Sequence, residues 1–210
     1  MLLAESAPIA AVLRRGPSAR WQVFRWQLRG DRFTPGDVFF GSVYPSASDV
    51  SPDGRYLLLN WGDYRGFGED EDPTGDTWTT LSLLPSLAPV WRRPDPYGHY
   101  FYGGKFVDGG IHLHEHTPSD GPVGPFKRAE PNDTDSMCRR RSPNVTDSLS
   151  TANLPDDAVW AMHDTRERHI FARAGRLYRT ARHGEVLLHD FNPIEPGPQV
   201  ANTFVRQWRA

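Results

Sequence analysis

The sequence predicts an all-β protein made of short antiparallel strands in meander order. Three observations carry that prediction. Glycine and proline are both abundant, 19 each among 210 residues, which suits many strands and turns rather than long helices. Apolar residues fall in short runs with two-residue alternation, the period of a strand. Clusters of turn-forming residues separate those runs at close spacing. A hydrophobic share of 38% and an aromatic share of 12% supply enough apolar side chain for a core at this length.

In chain order, Ile9–Arg15 is an apolar run closed by Gly16-Pro17-Ser18 and reads as the first strand. The run from Trp21 to Leu28 alternates: Trp21, Val23 and Arg25 share one face, and Phe24, Trp26 and Leu28 share the other. Gly30-Asp31 closes it. Thr34-Pro35-Gly36-Asp37 reads as the next turn, and Val38–Tyr44 as a single strand.

The stretch Ser48–Trp61 is the most informative in the chain. Pro52 presets φ at the first central position of a tight turn, Asp53 bonds back to the backbone, and Gly54 accepts positive φ. A short strand, this turn and the apolar run Tyr56–Trp61 make a hairpin. Ser51-Pro52-Asp53-Gly54-Arg55 followed by an aliphatic run resembles the blade signature of β-propellers of the TolB and WD-repeat kind. With Phe24-Arg25-Trp26 and the segment Phe33–Pro45, it also resembles a group of bacterial propeller-like proteins of unknown activity. The resemblance covers most of residues 9–115 and, more weakly, 157–191. It implies a fold and transfers no catalytic residue.

Residues 62–76 are rich in glycine and acid and read as a loop. The acidic run Glu69–Asp72 lacks the alternating ligands and distal Glu of a calcium loop. Thr77–Leu83 alternates as a strand, a short run follows through Val90 and Trp91, and Pro94-Asp95-Pro96-Tyr97-Gly98 turns the chain. Gly103–Gly110 repeats the strand and Asp-Gly theme, continuing into Ile111–His116. Residues 117–156 lose every apolar pattern and read as a long polar insertion. Strands return at Ala158–His163, His169–Ala172, Leu177–Thr180 and Glu185–Phe191. The Pro-rich stretch 192–200 is expected to cover an edge, and Thr203–Trp208 to add a strand or fray.

The expected architecture is one domain over residues 1–210: a small or incomplete β-propeller-like array of antiparallel meander sheets, with a β-sandwich as the alternative. About 12 to 15 strands correspond to three or four blades of four strands. Such an array leaves an open edge, which a second copy of the chain is able to cover as a homodimer.

Charge narrows the function classes. A formal net charge of −2 provides no global basic field for nucleic acid or an anionic membrane. Arg139-Arg140-Arg141 is offset by Asp133, Asp135 and Asp147 and reads as a solvated loop. The single cysteine, Cys138, excludes an intrachain disulfide. The start Met1–Pro8 lacks a signal-peptide pattern, so cytoplasmic residence is the expectation. No phosphate-binding glycine loop and no Gly-x-Ser-x-Gly elbow is present. Cys138 beside three arginines reads as a bystander.

Two groups of candidate site residues remain. Loop aromatics Tyr64, Phe67, Tyr97 and Tyr100 suit a protein-contact surface, since loops on a rigid scaffold carry binding. His112, His114 and His116 share one strand face, a pattern able to ligate Zn or Fe, with Glu115 on the other face. The plain alternative for the histidines is a polar outer face opposite core residues Ile111 and Leu113. The expected function is a non-catalytic protein-interaction module without cofactor, displaying loops on a β scaffold. The rival is a metal-dependent enzyme built on the three histidines.

Overall fold

The computed structural model of the chain describes residues 1–17, 20–62, 77–94, 103–108, 110–114, 121–129 and 155–193. The described residues are all-β. The first sheet contains β1 (Leu2–Leu3), β2 (Ile9–Arg15), β3 (Arg20–Gln27) and β4 (Arg32–Phe40), in that spatial order. The second contains β5 (Ser42–Val43), β6 (Asp49–Val50), β7 (Tyr56–Gly62), β8 (Thr77–Leu83) and β9 (Pro89–Pro94). Both β5 and β6 pair with β7, and β8 and β9 follow on its other side. The third is the hairpin β10 (Gly104–Val107) and β11 (Gly110–Leu113). The fourth is the meander β12 (Trp160–His163), β13 (His169–Arg173), β14 (Arg176–Ala181) and β15 (Gly184–Asp190). Among the described residues, every pair of these strands is antiparallel, and none of the sheets closes on itself.

Strand alternation sets how the sheets stack. In β2, Ile9 and Ala11 join a core with Leu57, Leu59 and Trp61 of β7, while Ala10 and Val12 join a different core with Ile170 and Leu177 of the fourth sheet. The first sheet is therefore buried on both faces. In β7, Leu58 points away from its neighbours and packs with Leu81, Phe106, Ile111 and Leu113. The resulting order is fourth, first, second, third. Phe24, Trp26, Leu57, Leu58 and Ile170 are fully buried, and each large apolar side chain so placed contributes about 1.5–3 kcal/mol.

Polar contacts pin the stacked sheets. The Asp37 carboxylate of β4 accepts the Ser86 hydroxyl at 3.0 Å and the Leu87 N–H at 2.8 Å, gripping the β8–β9 turn. Beside it, Gly36 lies so close to the Pro85 carbonyl that a Cβ has no space. Asp49 Oδ2 accepts the Phe106 N–H at 2.9 Å, joining the second and third sheets. Between the fourth and first sheets, the Arg168 guanidinium forks onto both oxygens of Asp31 at 2.8 and 2.9 Å and reaches Asp164 at 2.7 Å. Trp26 Nε1–H donates to the same Asp31. A two-bond fork of this kind fixes orientation as well as distance.

The turn at Ser51–Gly54 forms as its residues require. The Ser51 carbonyl accepts the Gly54 N–H at 2.8 Å, and Gly54 has φ of 72°. The Ser51 hydroxyl donates to Asp53 at 2.6 Å and accepts from the N–H groups of Arg55 and Tyr56.

Three local expectations give way to tertiary context. Thr34–Asp37 is not a turn: β4 runs through it. Pro35 sits opposite Phe24 at a register shift on the edge of the first sheet, where a missing N–H costs no ladder bond. Val38–Tyr44 is not one strand. It breaks at Gly41, with φ of 145°, and the chain crosses from the first sheet to β5 of the second. Residues 121–129 of the polar segment are tied to β11: Ile111 N–H donates to the Lys127 carbonyl, Ala129 N–H donates to the Ile111 carbonyl, and Val123 is fully buried in the third core. Alternation is too brief there to be read locally. Residues 130–154, with Cys138 and the three arginines, lie outside the described residues, as do 194–210.

Candidate functional site

Tyr64, Phe67, Tyr97 and Tyr100 lie outside the described residues, and so does His116. The strands that carry their segments are described. Gly62 at the end of β7 pairs with Thr77 at the start of β8, and Trp78 pairs with Pro94 at the end of β9. Segments 63–76 and 95–102 therefore both leave from one end of the second sheet. The base beneath them is closely packed. Trp61 and Trp78 are cross-strand neighbours with ring centroids 5.0 Å apart, and Phe39 meets Trp61 edge-on at 5.8 Å. On the opposite face, Asn60 is fully buried and its Nδ2 donates to Thr79 Oγ1 at 3.2 Å.

The histidine strand reaches the same end. His114 N–H donates to the Gly103 carbonyl, which directly follows segment 95–102. Arg93 of β9 donates from Nη2 to the His114 carbonyl at 3.2 Å. His112 of β11 and His114, the residue just past its end, have ring centroids 5.6 Å apart. Ile111 and Leu113 on the other face are in the core, as alternation requires. The histidine face is not an open outer surface, however: His112 is only 8% exposed. Among the described residues, no group of three or more His, Cys, Asp or Glu side chains gathers as a metal cage.

A second histidine pair went unread in the sequence. His163 ends β12 and His169 begins β13, and they face each other across the hairpin with centroids 5.4 Å apart. The signal was available: a turn spanning 164–168 places its two flanking residues in register. Burial and the neighbouring His163 together hold the His169 imidazole below the ordinary histidine range.

Compared with protein-family models, with curated proteins and with solved structures, the chain has no match in any of the three. Fold and site define the class on their own terms: an all-β array of stacked antiparallel meanders. One end of its second sheet bears two aromatic-containing segments beside a histidine-bearing strand. Among the described residues, no helix is long and apolar enough to cross a membrane.

Proposed function

We propose that the protein is a non-catalytic interaction module of propeller-like build, binding a protein partner through segments 63–76 and 95–102. The observation that carries this is their shared origin: Gly62↔Thr77 and Trp78↔Pro94 bring both to one end of the second sheet. Tyr64, Phe67, Tyr97 and Tyr100 are the contact residues, because aromatic side chains bury large area at low entropic cost. The packed Trp61–Trp78 base gives those segments fixed points of departure. The propeller-like build is supported by the stacking order, in which the last sheet in the chain packs on the first, as successive blades do around a ring.

The open edge of β15 is a second contact. Among the described residues it pairs only with β14, and Val186 and Leu187 are 37% and 50% exposed. A long apolar edge invites strand pairing, and a second copy of this chain is the partner proposed for it.

The experiment compares proximity labelling by the parent and by a Tyr64→Ala, Phe67→Ala, Tyr97→Ala, Tyr100→Ala variant of equal thermal stability. Partners labelled by the parent and lost by the variant support the reading; identical labelling refutes it. The rival, a metal-dependent enzyme using His112, His114 and His116, is favoured by the 5.6 Å approach of the first two rings. Metal analysis of untagged protein separates them, since the rival requires stoichiometric metal that is lost on His114→Ala.

A further inference from the structure

We infer that His163 and His169 form a bidentate site for a first-row divalent transition cation, of the zinc and copper type, bridging β12 and β13. The two residues are directly opposite in the antiparallel register, so their side chains leave the same face of the fourth sheet. Their ring centroids stand 5.4 Å apart. Two imidazoles on one tetrahedral ion, with metal–nitrogen bonds of about 2.0–2.1 Å, have centroids about 5.3 Å apart. The separation of the rings therefore matches that of two imidazoles on one ion.

The surroundings supply the rest of what such a ligand pair needs. His169 Nδ1 lies 2.9 Å from Thr180 Oγ1. With Nδ1–H donating to that hydroxyl, the lone pair is on Nε2. A bond of this kind to the distal nitrogen is what orients metal-bound histidines. His163 is exposed, so an ion reaches the site from solvent. Among the described residues, no third His, Cys, Asp or Glu side chain gathers with the pair, so water would complete the coordination. Two neutral imidazoles and water suit copper, nickel and zinc, and are poor ligands for magnesium or calcium.

The test uses the full chain without an affinity tag, stripped of metal and titrated with Cu²⁺, Zn²⁺ and Mg²⁺. Binding of Cu²⁺ tighter than Zn²⁺, with no response to Mg²⁺, is expected. His163→Gln and His169→Gln should each weaken Zn²⁺ binding by about tenfold or more, and Thr180→Val should weaken it by less. His112→Ala should leave this binding unchanged. Because His163 is exposed, His163→Gln should keep the melting temperature of the metal-free parent while losing the increase that Zn²⁺ gives the parent. Unchanged affinity in both glutamine variants, or loss of binding only on His112→Ala, overturns the assignment.

Discussion

Asp164 occupies in the β12–β13 turn the place that Ser51 occupies in the β6–β7 turn. Each residue's carbonyl accepts the N–H of the residue three positions on, Gly54 at 2.8 Å and Glu167 at 2.9 Å. Each side-chain oxygen accepts two further N–H groups: Arg55 and Tyr56 for Ser51, Arg166 and Arg168 for Asp164. The fourth residue has positive φ in both, 72° at Gly54 and 57° at Glu167. The two turns thus solve one backbone problem with different residues.

The left-handed position separates the two turns experimentally. Glu167→Gly should stabilise the protein by up to about 1 kcal/mol, because a side chain at positive φ is strained. Gly54→Ala should destabilise it by more than about 1 kcal/mol, since its Cβ would also press on Ile9. Urea denaturation of the two variants checks both signs.

Removal of the turn acceptors should have unequal consequences. Ser51→Ala takes the acceptor from the Tyr56 N–H, while the Arg55 N–H keeps Asp53 Oδ1, and should cost about 1–2 kcal/mol. Asp164→Ala should cost about 3 kcal/mol. Its carboxylate is fully buried and is bonded to Arg168 at 2.7 Å, and Arg168 also holds Asp31 of the first sheet. An equal loss in the two variants would show that the Arg168 network adds nothing beyond the turn.

Acid should weaken the stacking of the fourth sheet on the first through His189. Its ring stacks on Phe33 at 4.4 Å and meets Phe191 edge-on at 4.5 Å. Burial lowers its pKa, and the Asp190 carboxylate only partly opposes this. The unfolded histidine titrates near 6.5, so between the folded and unfolded pKa values the unfolded chain binds more protons. Stability is therefore full above about pH 6.5 and falls as pH drops toward the folded value. His169 is shifted in the same direction. His189→Phe should make the slope shallower without abolishing it, as measured by denaturant midpoints from pH 8 to pH 5.

The edge of β15 should govern self-association. Leu187→Lys places a charge on an exposed edge and should change stability by less than about 0.5 kcal/mol. Solution mass should report a dimer for the parent and a monomer for the variant. A monomeric parent removes the edge from the proposal and leaves the loop-bearing end standing.

Contact between the first and second sheets should fail locally at Gly36. A Cβ there has to displace the Pro85 carbonyl, so Gly36→Ala should cost about 2 kcal/mol or more. The Asp37 grip on Ser86 and Leu87 should loosen with it. Faster amide exchange at Leu87 than in the parent is the expected signature.

Strand positions, the Ser51–Gly54 turn and the two faces of Trp21–Leu28 were legible in the sequence, because alternation and φ preference are properties of a few neighbouring residues. The Ser48–Trp61 hairpin is the clearest case: Asp53 bonds back to the Arg55 N–H and Gly54 takes positive φ as residue type implies, while the bonds of the Ser51 hydroxyl went unread. The candidate site was legible in part. Sequence placed His112 and His114 on one strand face, but not their return to the end where segments 63–76 and 95–102 begin. The turn at 164–168 implied that His163 and His169 stand opposite each other, a pair that went unread. What only tertiary structure decided is partnership over distance: Pro35 in an edge strand, the chain crossing sheets at Gly41, and Arg168 on Asp31, 137 positions away. Those outcomes depend on which apolar faces find each other. A two-residue pattern says that a face is apolar and leaves its partner open, so the stacking order came from the packing of whole sheets.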